Sequence, residues 1–146
     1  MKIPALILTI LIVLIIALLT INYFLPKTPS AEINGHVFSL YLAQTSQEQS
    51  LGLAKYNSIA KNQGMIFLFN KSDYYSFWMK DMKFPIDIIF ISGNKVVDVF
   101  QKVPVWPNEN LPVYTTKTKA DKVLEINAGL ANKYGIEIGS EIKIKL

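Results

Sequence analysis

From Ala31 onward the chain is cut into short apolar runs, each closed by a turn signal, and that rhythm is what most limits the folds open to it. "AEI" and "HVFSLYLA" flank Asn34-Gly35, the dipeptide that best fits a two-residue hairpin turn. "GMIFLF" from Gly64 is a continuous apolar run of the kind found in a buried strand. "YYSFWMK" and "PIDIIFI" read as two further strands separated by a turn over 81–84. Ser92-Gly93-Asn94 then joins "PIDIIFI" to a hairpin partner, "KVVDVFQKV". "DKVLEIN" and the closing "SEIKIKL" are alternating strands. Helical signals are few. Thr45 with Glu48 makes a capping box before "SQEQSLGLA". Asn127 can cap "AGLANKY", which Gly135 would end in the left-handed region. "PVWPNENLPVY" has the prolines and polar residues of a long surface loop. The pattern predicts an α+β domain, mostly β, with a small curled, barrel-like mixed sheet and two short helices. A doubly wound parallel sheet would need more and longer helices.

Ahead of this domain lies a stretch of a different kind. From Ile3 to Leu25 there is no charge, and leucine and isoleucine dominate. About 20 such residues at ~1.5 Å rise would cover a ~30 Å hydrocarbon core. A cleaved secretory signal would have a shorter apolar centre and a small-residue cleavage site, and "NYFLPKTPSA" offers no clear small-x-small pattern. Tyr23 and Phe24 stand where an interfacial aromatic belt would fall. The expectation is therefore an uncleaved transmembrane anchor over 1–25, a stiff "PKTPS" linker over 26–30, and a globular domain over 31–146. Residues 4–24 would contact the bilayer. Lys2 and Lys27 nearly balance across the span, and a tail this short usually stays in the cytoplasm. The chain is accordingly expected to be a single-pass cell-membrane protein with an extracytoplasmic domain.

Composition excludes several functions. The 146 residues carry a net charge of +4, and every one of the fifteen basic residues is lysine. Without arginine, bidentate contacts to guanine or phosphate are missing, and the lysines are scattered, so nucleic acid is not an expected partner. With no cysteine there are no disulfides, thiolate nucleophiles or thiolate metal sites. His36 is the single histidine and lies near a hairpin turn, where an imidazole is ordinarily a strand residue and not a ligand. No calcium-loop pattern, phosphate-cradling glycine loop or nucleophile elbow is present. Neither metal nor cofactor is expected. Asn70-Lys71-Ser72 is a formal glycosylation sequon.

The segment "YYSFWMKDMKFPIDIIFIS", 74–92, crowds aromatics and charges together. Along a strand alternate residues share a face, so Trp78 pairs with Lys80 and Phe77 with Met79 and Asp81. On the following strand Asp87 shares its face with Ile89 and Ile91. A buried carboxylate there needs a lysine, backbone amides or a polar rim. One reading makes the segment core, with Asp87 satisfied inside the protein. The other makes Trp78, Lys80, Asp81 and Asp87 the lining of a pocket at a barrel mouth. In that setting Asp81 and Asp87 could act as acid and base on a glycan.

The motifs "EQSLGLA" (48–54), "GMIFLF" (64–69), "FWMKDMKFPIDIIFI" (77–91) and "VLEINAGLANKYGIEIGSEI" (123–142) together resemble domain-of-unknown-function family 192 (DUF192) in order and spacing. The resemblance implies a small compact β-rich domain, often exported or membrane-tethered in prokaryotes, with no established biochemical activity. The chain departs from the family pattern at five places. Gln49 and Tyr56 stand at frequent arginines, and Ala54 at a common methionine. Asp81 replaces an asparagine, and Ser140 an aspartate. If the family's arginines bind an anion or hold a carboxylate, this chain lacks the residues for that role.

Sequence alone thus leads to a membrane-anchored, non-enzymatic binding or scaffold domain for a small ligand, a glycan or an envelope protein. The alternative is a weak hydrolase or lyase on cell-envelope material working through Asp81 and Asp87.

Overall fold

The apolar runs become strands, in the order the turn signals separate them. The computed structural model of the chain describes residues 4–24, 28–107 and 110–146. After helix α1 (Ala5–Phe24) come β1 (Ser30–Ile33), β2 (His36–Ala43), α2 (Ser46–Leu51) and a 3-10 turn, Gly52–Lys55. Then follow β3 (Gln63–Asp73), β4 (Ser76–Trp78), β5 (Ile86–Ser92), β6 (Lys95–Val103), β7 (Val113–Thr115), β8 (Ala120–Asn127), α3 (Leu130–Lys133) and β9 (Ile142–Lys145).

Seven strands form one sheet in the order β6-β5-β8-β3-β2-β1-β9, and β4 pairs with β7 as a separate ribbon. β2 and β3 run parallel, and the other pairs are antiparallel. The two outer strands of the sheet approach one another. Lys95 at the start of β6 bridges Glu141 just before β9, and the main chain of Val96 bonds Ser140 and Gly139. The sheet is therefore a curled half-barrel, which leaves little open edge to pair with another chain.

Strand alternation divides the core in two. Ile66, Ile89, Ile91, Leu124 and Ile126 point to the inner face, where Phe38, Leu40 and Ile142 meet them and Leu130 and Ala131 of α3 close the end. Met65, Phe67, Ile86, Ile88, Phe90 and Val123 point to the outer face, covered by Leu53, Met79 and Met82. The helix α2 starts as its capping box directs. The Thr45 hydroxyl accepts from the Glu48 N–H, and the Glu48 carboxylate accepts from the main-chain N–H of Thr45 and Gln44. Those main-chain bonds, with Thr45 first, hold the Glu48 carboxyl below its ordinary range.

Two local expectations need correction. Asn127 does not cap α3; its side chain donates to the carbonyls of Ile59 and Ala60, and left-handed Gly129 starts the helix. The strand expected over 74–80 stops at Trp78, because Met79 to Asp81 enter a turn in which Asp81 has a φ of 57°.

The N-terminal expectation is also overturned. The run is helical, but among the described residues no helix is long and apolar enough to cross a membrane. The transmembrane helix is therefore not supported, and neither is the single-pass cell-membrane location that rested on it. Lys2, Leu25, and Pro26 and Lys27 of the expected linker lie outside the described residues, as do the side chains of Tyr23 and Phe24. Asn108 and Glu109, in the loop between β6 and β7, lie outside them too.

Asp87 on β5 faces inward and is fully buried. Opposite it, β6 carries a bulge: Ile86 pairs with Val103 and Ile88 with Phe100, leaving two residues against one. Lys102 in that bulge has a φ of 53°, and its main-chain N–H donates to Asp87 Oδ1 at 2.7 Å. Gly129 N–H donates to the same oxygen at 3.0 Å, and Ala131 N–H to Oδ2 at 2.7 Å. The partners are backbone amides; no lysine ammonium is among them. Asp87 thus ties β5, the β6 bulge and the start of α3 together. Asp87→Asn would turn an amide NH₂ toward these donors and should lower stability by about 3 kcal/mol in urea unfolding. An unchanged midpoint would contradict the tie.

Candidate functional site

The outer face of the same sheet carries a second buried carboxyl. Glu125 on β8 lies between Met65 of β3 and Ile88 of β5, facing the side opposite to Leu124 and Ile126. It is 5% exposed, and among the described residues its Oε2 has no hydrogen-bond partner. Burial without compensation penalises the charged form, and the Glu125 carboxyl is pushed up to about 8 from an ordinary 4.5.

This carboxyl floors a cleft of about 330 Å³. One wall comes from α2 and the following turn, including Gln49, Ser50, Gly52 and Leu53. The other walls are aromatic: Phe67 and Phe69 from β3, Tyr75 before β4, and Phe77 and Trp78 within it. The rings hold one another in place. Phe77 meets Phe67 edge-on at 4.9 Å and Phe90 at 5.7 Å, while Phe69 stacks on Tyr75 at 3.7 Å. Tyr75 is anchored by its hydroxyl, which donates to the Lys71 carbonyl at 2.7 Å. Gln49 fixes the opposite wall by donating its side-chain amide to the carbonyls of Ala43 and Leu68. Gly52 lines the cleft with a φ of 52°, a backbone conformation that side chains rarely adopt. A Cβ there would sit 3.4 Å from the Phe67 ring and 3.9 Å from Glu125 Oε2.

The residues singled out from sequence are distributed unevenly around it. Trp78 and Lys80 line this cleft, and also two adjoining cavities of about 840 and 370 Å³ that include Asp81. Trp78, Lys80 and Asp81 are thus brought together at the rim, all exposed. Asp87 lines none of the three cavities and is enclosed on the inner face. His36 stacks on Tyr134 at 3.7 Å, away from these walls. Among the described residues no group of three or more histidine, cysteine or acidic side chains could hold a metal.

Sequence reasoning missed Glu125. The signal was nonetheless the one that drew attention to Asp87: one carboxyl inside a greasy strand, here "VLEIN". A lone acid in a buried strand announces a cost, but it does not say which acid finds partners.

A curled, mostly-β domain with an aromatic cleft on its outer face defines the class of protein. The model of the DUF192 family, described as "Uncharacterized ACR", matches residues 29–144, and the chain belongs to that family. Two solved structures share the fold. One is a protein of unknown function from Novosphingobium aromaticivorans, 33% identical, with a TM-score of 0.71 over 78% of this chain and 83% of that one. The other is a putative transcription regulator from Sinorhizobium meliloti, with a TM-score of 0.73 over 81% of this chain and 94% of that one. At 22% identity that second similarity speaks for the fold alone. No curated protein matches the chain.

The position of Glu125 has a measurable consequence. Its folded value lies above its unfolded one, so the folded chain keeps a proton that the unfolded chain releases between about 4.5 and 8. Its contribution is fully present below the unfolded value and is lost as pH rises through the folded one, on the order of 5 kcal/mol at most. Wild type should therefore lose stability between pH 5 and pH 9 relative to Glu125→Gln, whose urea midpoint stays flatter over that range. Parallel profiles for the two proteins would contradict the assignment.

Proposed function

We propose that this domain is a non-enzymatic binding module that takes a small ligand in the cleft floored by Glu125. The observation that carries the reading is the unpartnered Glu125 Oε2, buried at the base of an open cleft. Leaving a buried polar group without a partner costs roughly 1–3 kcal/mol. A fold that satisfies Asp87 with three amides tolerates that cost at Glu125, and a ligand would relieve it. Five aromatic side chains around the cleft supply apolar walls, and Lys80 and Asp81 at the rim supply polar contacts for the outer part of a ligand. A protein partner inserting one side chain would use the same features.

The alternative chemistry has less support. An acid and base acting on a glycan need both carboxyls on one cleft. Asp81 stands at the rim, whereas both oxygens of Asp87 already accept main-chain hydrogen bonds on the other face of the sheet.

A thermal-shift screen of the chain against small metabolites and sugars tests the reading. A ligand at a hundred times its dissociation constant should add about 2.7 kcal/mol, a rise of several degrees. The shift should vanish in Glu125→Gln. That variant keeps the size of the side chain and removes only its ionisation, and its own melting transition without ligand shows that it is folded. Hits that persist unchanged in Glu125→Gln and Phe77→Ala would place binding elsewhere and overturn the proposal.

A further inference from the structure

The geometry points to an organic cation, an ammonium or amidinium group on an apolar body, as the ligand class of the Glu125 cleft. This inference rests on the cleft being a binding site. Its support is the combination of one unpartnered buried carboxyl and five aromatic residues lining the same cleft. Phe67, Phe69, Tyr75, Phe77 and Trp78 all border the space above Glu125. Aromatic faces attract a positive charge and give a neutral or anionic group nothing comparable, and the attraction grows where water is excluded. A carboxylate beneath such rings supplies the counter-charge and the hydrogen-bond acceptor that a desolvated cation needs.

The surroundings of Glu125 leave that role open. Its strand neighbours are Met65 on β3 and Ile88 on β5, neither titratable. From α2 and the turn after it come only uncharged residues, Ser46, Gln49, Ser50, Leu51, Gly52 and Leu53. The titratable groups that share the cleft are Tyr75, whose hydroxyl already donates to the Lys71 carbonyl, and Lys80, which is exposed at the rim. Burial alone accounts for the raised Glu125 carboxyl, with no charged neighbour contributing. An apolar body reaching from Glu125 to the mouth would place its outer end near Lys80, which disfavours a second positive charge and accepts an anionic or neutral one.

Charge and proton then balance simply. In the empty cleft at neutral pH the carboxyl is protonated. The ligand enters as its cation, the Glu125 O–H bond breaks, the proton passes to solvent, and the carboxylate accepts hydrogen bonds from the ligand. Binding is coupled to release of one proton below pH 8. Affinity should rise roughly fifty-fold between pH 6 and pH 8, following the ionised fraction of the free carboxyl.

The test is calorimetric titration of the full chain with three probes of one shape: 2-phenylethylamine, 2-phenylethanol and 3-phenylpropanoate. The amine should bind most tightly, release a proton when measured in buffers of different ionisation heat, and lose both binding and pH dependence in Glu125→Gln. Equal or tighter binding of the alcohol or the carboxylate, lost in Phe77→Ala, would overturn the cation class while leaving the cleft as a binding site. Failure of all three at millimolar concentration, with the metabolite screen also blank, would remove both.

Discussion

The pairing of β5 with β8 fixes everything that distinguishes this domain. Asp87 lies opposite Ile126 and Ile88 opposite Glu125. Because side chains alternate along a strand, this register sends two buried carboxyls to opposite faces of one sheet. A slip of one residue between the two strands would set both carboxyls on the same face of the sheet. The inner acid is met by three main-chain N–H groups, and the outer acid is met by none among the described residues. The contrast is informative because burial and sheet are shared. Partnering alone separates the carboxyl that holds the fold from the one left available.

What surrounds Glu125 follows from how the outer face is covered. A full helix would have sealed it. Instead residues of the short β4–β7 ribbon and of the six-residue α2 line opposite sides of an open space. The gap between them is the cleft. Its shape is held by rings packed edge to face, from Phe67 through Phe77, Phe90 and Phe100 to Tyr114. Such contacts keep the aromatic walls in place.

Much of the sheet was legible in the residues, because hairpin signals such as Asn34-Gly35 and Ser92-Gly93-Asn94 act over a few positions and tertiary packing does not reverse them. The α2 capping box was legible for the same reason. The period-two rule also placed Asp87 with Ile89 and Ile91. Its partners were harder to see. They come from a β-bulge at Lys102 and from α3, distant in sequence, and main-chain donors leave no residue-type signature. The Asn127 cap failed because the nearby carbonyls of Ile59 and Ala60, brought by another loop, compete for its amide. The site was half legible. Trp78, Lys80 and Asp81 stand out in one stretch, but Glu125 joins them only through the β3–β8–β5 pairing. The transmembrane reading of residues 1–25 rested on uncharged length, and the described helix does not meet that requirement.

The central claim is that Glu125 is a buried carboxyl without a partner, and its titration tests this most directly. The carboxyl ¹³C resonance of Glu125, assigned by its loss in Glu125→Gln, can be followed from pH 3 to pH 10 in the folded chain. A midpoint near 8 is expected, with a fall on addition of a bound amine. A midpoint near 4.5, the value of an ordinary exposed glutamate, would contradict the account.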